Sequence, residues 1–211
     1  MVDNQIRVGV VEDNGLLRVA LSSSLEKEAV DVVFSVGTAL GALELIGKSS
    51  IDVLIVDLHL GETINGIDVS LLWQKAQPNL GVVYLTSYED PRLINGGKSP
   101  VLAEKSVYLT KTSITDIDQL LSAITSTMGE GTVDERVRTG PLAGLTDVQM
   151  ETLSLLALGH SNNEIAKIRG INEDSVAMSL NRISKVLGLP AQMNRNQRVH
   201  LARVILKGQG Q

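Results

Sequence analysis

Five short runs of aliphatic and β-branched residues punctuate the first 127 positions, at 6–11, 31–36, 51–56, 81–85 and 106–109. Helical periods fill the gaps between them. Leu17, Leu21 and Leu25 recur at four-residue spacing in the first. Leu40, Leu43 and Ile46 mark the second, Val69, Leu72 and Trp73 the third, and Ile117, Leu120, Leu121 and Ile124 the last. Runs that are apolar throughout read as strands buried on both faces. Their alternation with helices implies a parallel sheet covered on both sides, an α/β doubly wound fold. The run 51–56 ends at Asp57, and the run 6–11 ends at Glu12 and Asp13. Ligands in open sheets of this kind bind beyond the carboxyl ends of the strands. Three acids converging there would repel one another unless a cation joined them. Hard carboxylate oxygens suit Mg²⁺, which would leave one carboxylate free to act as a nucleophile.

The chain has 211 residues, enough for one large or two small domains. Aromatic residues make up only 2% of it, so the core must be built from Val, Leu, Ile and Ala. No apolar stretch reaches the roughly 18 residues of a membrane helix, and no signal peptide is evident, so no membrane partner is expected. There are no cysteines, which excludes disulfides and thiolate metal sites and fits a cytoplasmic location. The net charge of −5 is unevenly spread. Residues 1–140 hold 11 basic and 19 acidic side chains, whereas 141–211 hold 8 and 5. An acidic front and a basic tail point to two modules, the second suited to a polyanion.

One segment breaks the β/α rhythm. Between Thr86 and Lys111 lie Pro91, Gly96, Gly97 and Pro100, so any helix there is at most two turns, over Pro91 to Asn95. Residues 128–144 are rich in glycine and charge and read as a linker between a module at 1–127 and one at 145–211. From Leu145 the pattern is purely helical. Thr146 with Gln149 and Ser161 with Glu164 form capping-box pairs, and Gly159 and Gly170 sit where helices should stop.

Residues 5–127 resemble a response-regulator receiver domain, the phosphoryl-accepting half of two-component signalling. Glu12 and Asp13, Asp57, Thr86 and Lys111 carry the resemblance, in that order and each at a strand end, with Tyr108 three positions before the lysine. It implies a flavodoxin-like (β/α)5 fold with Asp57 as phosphoacceptor. Glu12, Asp13, Asp57 and the backbone carbonyl of His59 would bind Mg²⁺. Thr86, Ser87, Tyr108 and Lys111 would bind the phosphoryl group and switch. Side chains two after the phosphoacceptor and two after the threonine, here His59 and Tyr88, tune phosphoryl lifetime in this family. Two departures stand out. Gly61 occupies the usual proline position, and 87–106 does not read as the ordinary fourth helix.

Residues 145–207 resemble the helix-turn-helix output domain of the NarL/LuxR type. The matching elements are Leu145-Thr146, Leu155-Leu156-Ala157 with Gly159, Ser161-Asn162 with Glu164-Ile165-Ala166, Gly170-Ile171, Ser175-Val176 and Leu187-Gly188. Ile165, Ala166 and Ile168 give the first short helix an apolar face, and Val176, Leu180, Ile183 and Leu187 form a core stripe on the next. Met178, Asn181, Arg182 and Lys185 share another face, which should enter the major groove. Asn181 would read a base edge and Met178 touch a thymine methyl, while Arg182 and Lys185 hold phosphates. Ser175 and Ala177 flank that face, and amides near Ser161 and Asn162 would bind a phosphate. Relatives often carry Lys-x-His where this chain has Ala177-Met178-Ser179, so weak monomer binding is expected, with a homodimer on paired half-sites. Leu201, Val204 and Ile205, within 194–207, offer an apolar stripe for self-association or for covering the bundle.

The expectation is a small all-α helix-turn-helix domain following a receiver domain: a transcription factor phosphorylated by a cognate histidine kinase to control promoter binding. It is a switch and not an enzyme. An alternative is a regulator that binds DNA without phosphorylation and uses an atypical receiver for dimerisation or partner binding. A flavodoxin-like phosphatase would need a Ser/Thr/Gly-rich loop where Glu12-Asp13-Asn14-Gly15 stands. A haloacid-dehalogenase-like one would need an aspartate at His59. A dinucleotide enzyme would need a Gly-x-Gly-x-x-Gly turn after the first run.

Overall fold

The computed structural model describes residues 5–61, 63–129, 141–189 and 196–208. The chain divides into two compact units. The first joins Met1–Thr86 to Val101–Glu135, and the second joins Ser87–Pro100 to Arg136–Gln211. The simple division at 127 therefore fails over one stretch, since 87–100 leaves the first unit to join the second. Most of the expected linker (130–140) lies outside the described residues. Leu142 and Leu145 are buried in the second unit, so its end is core and not spacer.

In the first unit, strands β1 (Arg7–Val11), β2 (Asp31–Val36), β3 (Val53–Val56), β4 (Gly81–Thr86) and β5 (Ser106–Thr110) form one sheet of order β2-β1-β3-β4-β5. Every pairing is parallel. β3 and β4 are buried along their whole length, as their unbroken apolar runs require. β2 alternates between exposed and half-buried residues, as an edge strand should. Helices α1 (Gly15–Lys27), α2 (Ala39–Leu43), α3 (Gly66–Ala76) and α4 (Ile117–Met128) lie between or after the strands. Asn14, Thr38, Asn65 and Asp116 cap their N-termini with side-chain oxygens.

Two apolar stripes differ from expectation. In α2 the buried residues are Ala39 and Ala42, and Leu40 is exposed. A helix of five residues has room for one narrow contact, and alanines allow it to approach the Trp73 indole, which donates to the Ala42 carbonyl at 3.1 Å. In α3, Val69 and Trp73 are buried but Leu72 is exposed.

The second unit holds α5 (Asp147–Ala157), α6 (Asn162–Arg169), α7 (Glu173–Val186) and α8 (Gln197–Gly208), with one 3-10 turn, Pro91–Leu93. Both anticipated capping boxes are present. Gly170 ends α6 at φ 63°, a left-handed conformation that a side chain would strain. Ile165, Ala166, Val176, Leu180 and Ile183 are buried in one core, with Leu187 packed against it. Ile168 is exposed instead, because its place in the short α6 points away from α5 and α7. Leu201 and Ile205 are buried in that same core with Val204 packed against it, so their stripe covers the bundle and is not an open surface for self-association.

Candidate phosphoryl-accepting and metal site

The sheet's strand order reverses direction between β1 and β3, the place where open α/β sheets bind ligands. The register there pairs Val11 with Val56, so the next residues, Glu12 and Asp57, leave the sheet side by side. The Asp57 amide extends the ladder by donating to the Val11 carbonyl at 2.9 Å. One strand further along, the Lys111 amide donates to the Thr86 carbonyl at 2.7 Å. Backbone pairing thus sets all four positions before any side chain interacts.

Glu12, Asp57 and Thr86 are buried, whereas Asp13 and His59 are exposed. Among the described residues, Glu12, Asp13 and Asp57 form one possible metal cluster, with carboxylate oxygens that all lie within 4.8 Å of one another. Three hard oxygen donors of net negative charge fit a small divalent cation such as Mg²⁺. The Lys111 ammonium reaches Asp57 Oδ2 at 2.7 Å and Glu12 Oε1 at 2.9 Å. It also lies 2.8 Å from Glu12 Oε2, but off the donor direction, so that oxygen is ion-paired without a directed hydrogen bond. Burial pushes the Glu12 carboxyl above its ordinary value, against the pull of Lys111. Burial opposes the Lys111 charge too, but its hydrogen bonds to Asp57 and Glu12 outweigh that and hold it above the usual lysine value.

These shifts have a definite sign. A lysine whose folded value is raised contributes stability that is complete below its unfolded value. That contribution is lost as pH climbs through the folded value. In metal-free protein, stability should therefore fall on the alkaline side of the ordinary lysine range. Lys111→Met should remove that component, which chemical denaturation across the pH series would detect.

His59 donates its backbone amide to Asp57 Oδ1 at 3.2 Å, while its side chain faces outward. Tyr108 is buried against Tyr84, with ring centroids 6.4 Å apart. Tyr84 in turn meets the Ser70 hydroxyl at 2.7 Å and accepts from the Ala103 amide at 3.1 Å. Ser87 falls in the second unit, and Tyr88 packs against that unit's core.

Several contributing residues carried little sequence signal. Asn14 caps α1. Arg18 donates to the Glu12 carbonyl at 2.7 Å and so fixes the acidic turn from one helical turn away. Gly61 has φ 67°, a conformation closed to the proline that usually stands there. Gly66 lies so close to the phosphoacceptor that an added Cβ would sit 2.0 Å from the Asp57 carbonyl oxygen. Gly66→Ala must displace that backbone. A loss of roughly 1–3 kcal/mol in first-unit stability is expected, read as a lowered denaturation midpoint.

In the second unit, Ser175, Met178, Asn181, Arg182 and Lys185 are exposed on α7, and Ala177 is half-buried. The α6 start is already engaged. Glu164 Oε2 accepts from both the Ser161 amide and hydroxyl at 2.8 Å. Arg198 donates to Asn162 Oδ1 and, at 2.6 Å, to the His160 carbonyl. A phosphate there would meet Glu164 as a competitor and Arg198 as a cation that the sequence reading missed.

Comparison with known proteins agrees with this geometry. Residues 8–125 match the response regulator receiver domain family. The response regulator protein VraR of Staphylococcus saprophyticus is 30% identical over 207 residues, covering 92% of this chain and 94% of that protein. The nitrate/nitrite response regulator protein NarP of Escherichia coli is 26% identical over 205 residues, covering 89% and 91%. The solved complex of the two-component response regulator RcsB with DNA shares the fold, with a TM-score of 0.61 at 21% identity over 95% of this chain and 98% of that one. The chain belongs to the response-regulator receiver family, and it is a response regulator of the NarL/LuxR type.

Proposed function

We propose that a histidine kinase phosphorylates Asp57 and that this modification controls promoter DNA binding by the second unit. The observation that carries the reading is the bridge from Lys111 to both Glu12 and Asp57 at adjoining strand ends. An Asp57 carboxylate oxygen attacks the phosphorus of a phosphohistidine. The new O–P bond forms as the P–N bond breaks, and the imidazole departs with the electron pair. Glu12, Asp13, Asp57 and the His59 carbonyl would hold Mg²⁺, Glu12 through a water. When bound, the ion neutralises charge on the transferring group. Lys111 pairs with one phosphoryl oxygen as a point charge. The Thr86 hydroxyl donates to another, and Ser87 follows it. The shift of Thr86 opens room for the buried Tyr108 ring, which makes a two-state element. Such a switch acts in the cytoplasm and has no need of substrate turnover.

The exposed face of α7 is the DNA-reading surface in this account. Met178 and Asn181 meet base edges, Arg182 and Lys185 meet phosphates, and Ser175 and Ala177 flank them. A homodimer on paired half-sites supplies the affinity that one such face lacks. Salt titration of binding tests the assignment. Lys185→Ala should weaken binding to all sequences alike and flatten the slope of log affinity against log salt by about 0.9. Met178→Ala should leave the slope unchanged and alter preference at one thymine. An unchanged slope for Lys185→Ala would remove that residue from the interface.

A further inference from the structure

The turn that joins β1 to α1 holds two of the three clustered acids, and they are held very differently. The Glu12 carboxylate is gripped from two sides, by Lys111 at 2.9 Å and by the Asn14 amide at 3.2 Å. The Asp13 carboxylate is exposed, and among the described residues no hydrogen bond or ion pair restrains it. Its aim at the cluster therefore comes from the backbone alone, through the planes of the peptides on either side of it.

Arg18 fixes the first of those peptides. Its Nη1 donates to the Glu12 carbonyl at 2.7 Å, and the Glu12 amide donates to the Val36 carbonyl at 3.1 Å. Glu12 is thus pinned at both of its backbone groups, and the Glu12–Asp13 peptide cannot turn without breaking a charge-assisted hydrogen bond. The guanidinium lies in a gap kept open by Gly37, one residue past β2. A Cβ added there would stand 2.7 Å from Nη1 and 3.3 Å from Cζ. The choice of partner is informative. Arg18 stands one helical turn from the acids, yet among the described residues it pairs with none of them and bonds a neutral carbonyl instead. A cation paired with the acids would compete with a metal ion, whereas one seated on the backbone can orient them for it.

We propose that Arg18 is a positioning residue for the metal. It locks the Glu12–Asp13 peptide so that the Asp13 carboxylate faces the cation, and Gly37 is the gap that admits its guanidinium. This inference rests on the reading of Glu12, Asp13 and Asp57 as the Mg²⁺ site, and its test lets the two fail separately.

The test is Mn²⁺ binding to the full chain, with the free ion counted by electron paramagnetic resonance and Mg²⁺ added as competitor. Arg18→Met should raise the dissociation constant roughly tenfold, the usual order for removing a group that orients a metal ligand. Gly37→Ala keeps the arginine and its charge but displaces the guanidinium, so it should weaken binding in the same direction, by about threefold or more. Only the end of a flexible side chain must yield to that methyl group, so the metal-free unfolding midpoint of Gly37→Ala should stay near the native one. Trp73 lies in the same unit, and its fluorescence follows that midpoint. Gly37→Ala therefore carries the test even where Arg18→Met loses stability. Phosphorylation by a small phosphodonor supplies a second readout. Both variants should need more Mg²⁺ to reach half the maximal rate, yet attain the native rate at saturating Mg²⁺, a pattern that a damaged fold would not give. An unchanged or tighter dissociation constant in either variant would overturn the proposal, and so would a maximal rate that stays low at saturating Mg²⁺. If the native chain binds neither ion, the metal reading itself fails and the inference falls with it.

Discussion

Asp57→Asn should abolish phosphorylation outright. Incubated with Mg²⁺ and a small phosphodonor, the native chain should gain one phosphoryl group by intact mass, and the variant none. The reason is chemical, since an amide oxygen is too weak a nucleophile to attack phosphorus at a useful rate. The substitution is also nearly isosteric. The asparagine's one oxygen can keep accepting from the His59 amide, while its NH2 replaces the oxygen that accepts from Lys111, which stays paired with Glu12, so the loop should hold its shape. A loss of modification cannot then be laid to unfolding, and the unfolding midpoint of the variant provides the check. A native chain that gains no phosphoryl group from either a small donor or a kinase would favour the regulator that works without phosphorylation. In that case Asp57→Ala would leave promoter occupancy unchanged.

The second large effect concerns stability. Arg92→Met should destabilise the second unit by about 3–5 kcal/mol, the usual consequence of leaving one member of a buried ion pair alone. It strands the Asp90 carboxylate in a site only 3% exposed, takes the guanidinium donor from the Leu145 carbonyl, and leaves the Leu142 carbonyl only the Leu145 amide. Asp90→Asn added to Arg92→Met should recover part of the loss, because it removes the uncompensated charge. The two units can be watched separately. The single tryptophan, Trp73, lies in the first unit, so its fluorescence follows that unit, while far-ultraviolet circular dichroism follows the helices of both. The destabilisation should appear in the dichroism transition with the fluorescence transition little moved. An unshifted dichroism transition would mean that Arg92 does not hold residues 87–100 in the second unit.

The sheet and its acidic end could be read from the sequence because both are written in local pattern. Unbroken apolar runs gave β3 and β4, and the residues that end the runs are the ones that meet at the strand tips. The α7 core stripe was equally plain, since Val176, Leu180 and Ile183 repeat at the helical period and all are buried. Local pattern failed where a helix was short or its partner distant. Leu40 and Ile168 look like core residues, yet the helices that carry them bury only Ala39 and Ala42 in one case and Ile165 and Ala166 in the other. The apolar residues near the C-terminus suited a surface or a bundle equally well, and only packing against α5 decides between them. The segment 87–100 was the least readable part. Its glycines and prolines excluded a long helix, and the short turn over Pro91–Leu93 agrees with that. Nothing local could show that Arg92 bonds to carbonyls 50 and 53 residues away. A single arginine beside an aspartate reads as solvated surface until the fold buries it.

The central claim is that the chemistry at Asp57 governs DNA binding. Its most direct test is the affinity of the full chain for a promoter duplex at one fixed salt concentration, with and without Mg²⁺ and beryllofluoride, for native protein and Asp57→Asn. The account predicts tenfold or greater tightening for the native chain and none for the variant. Equal affinities for the native chain in both conditions, with beryllofluoride bound, would contradict it.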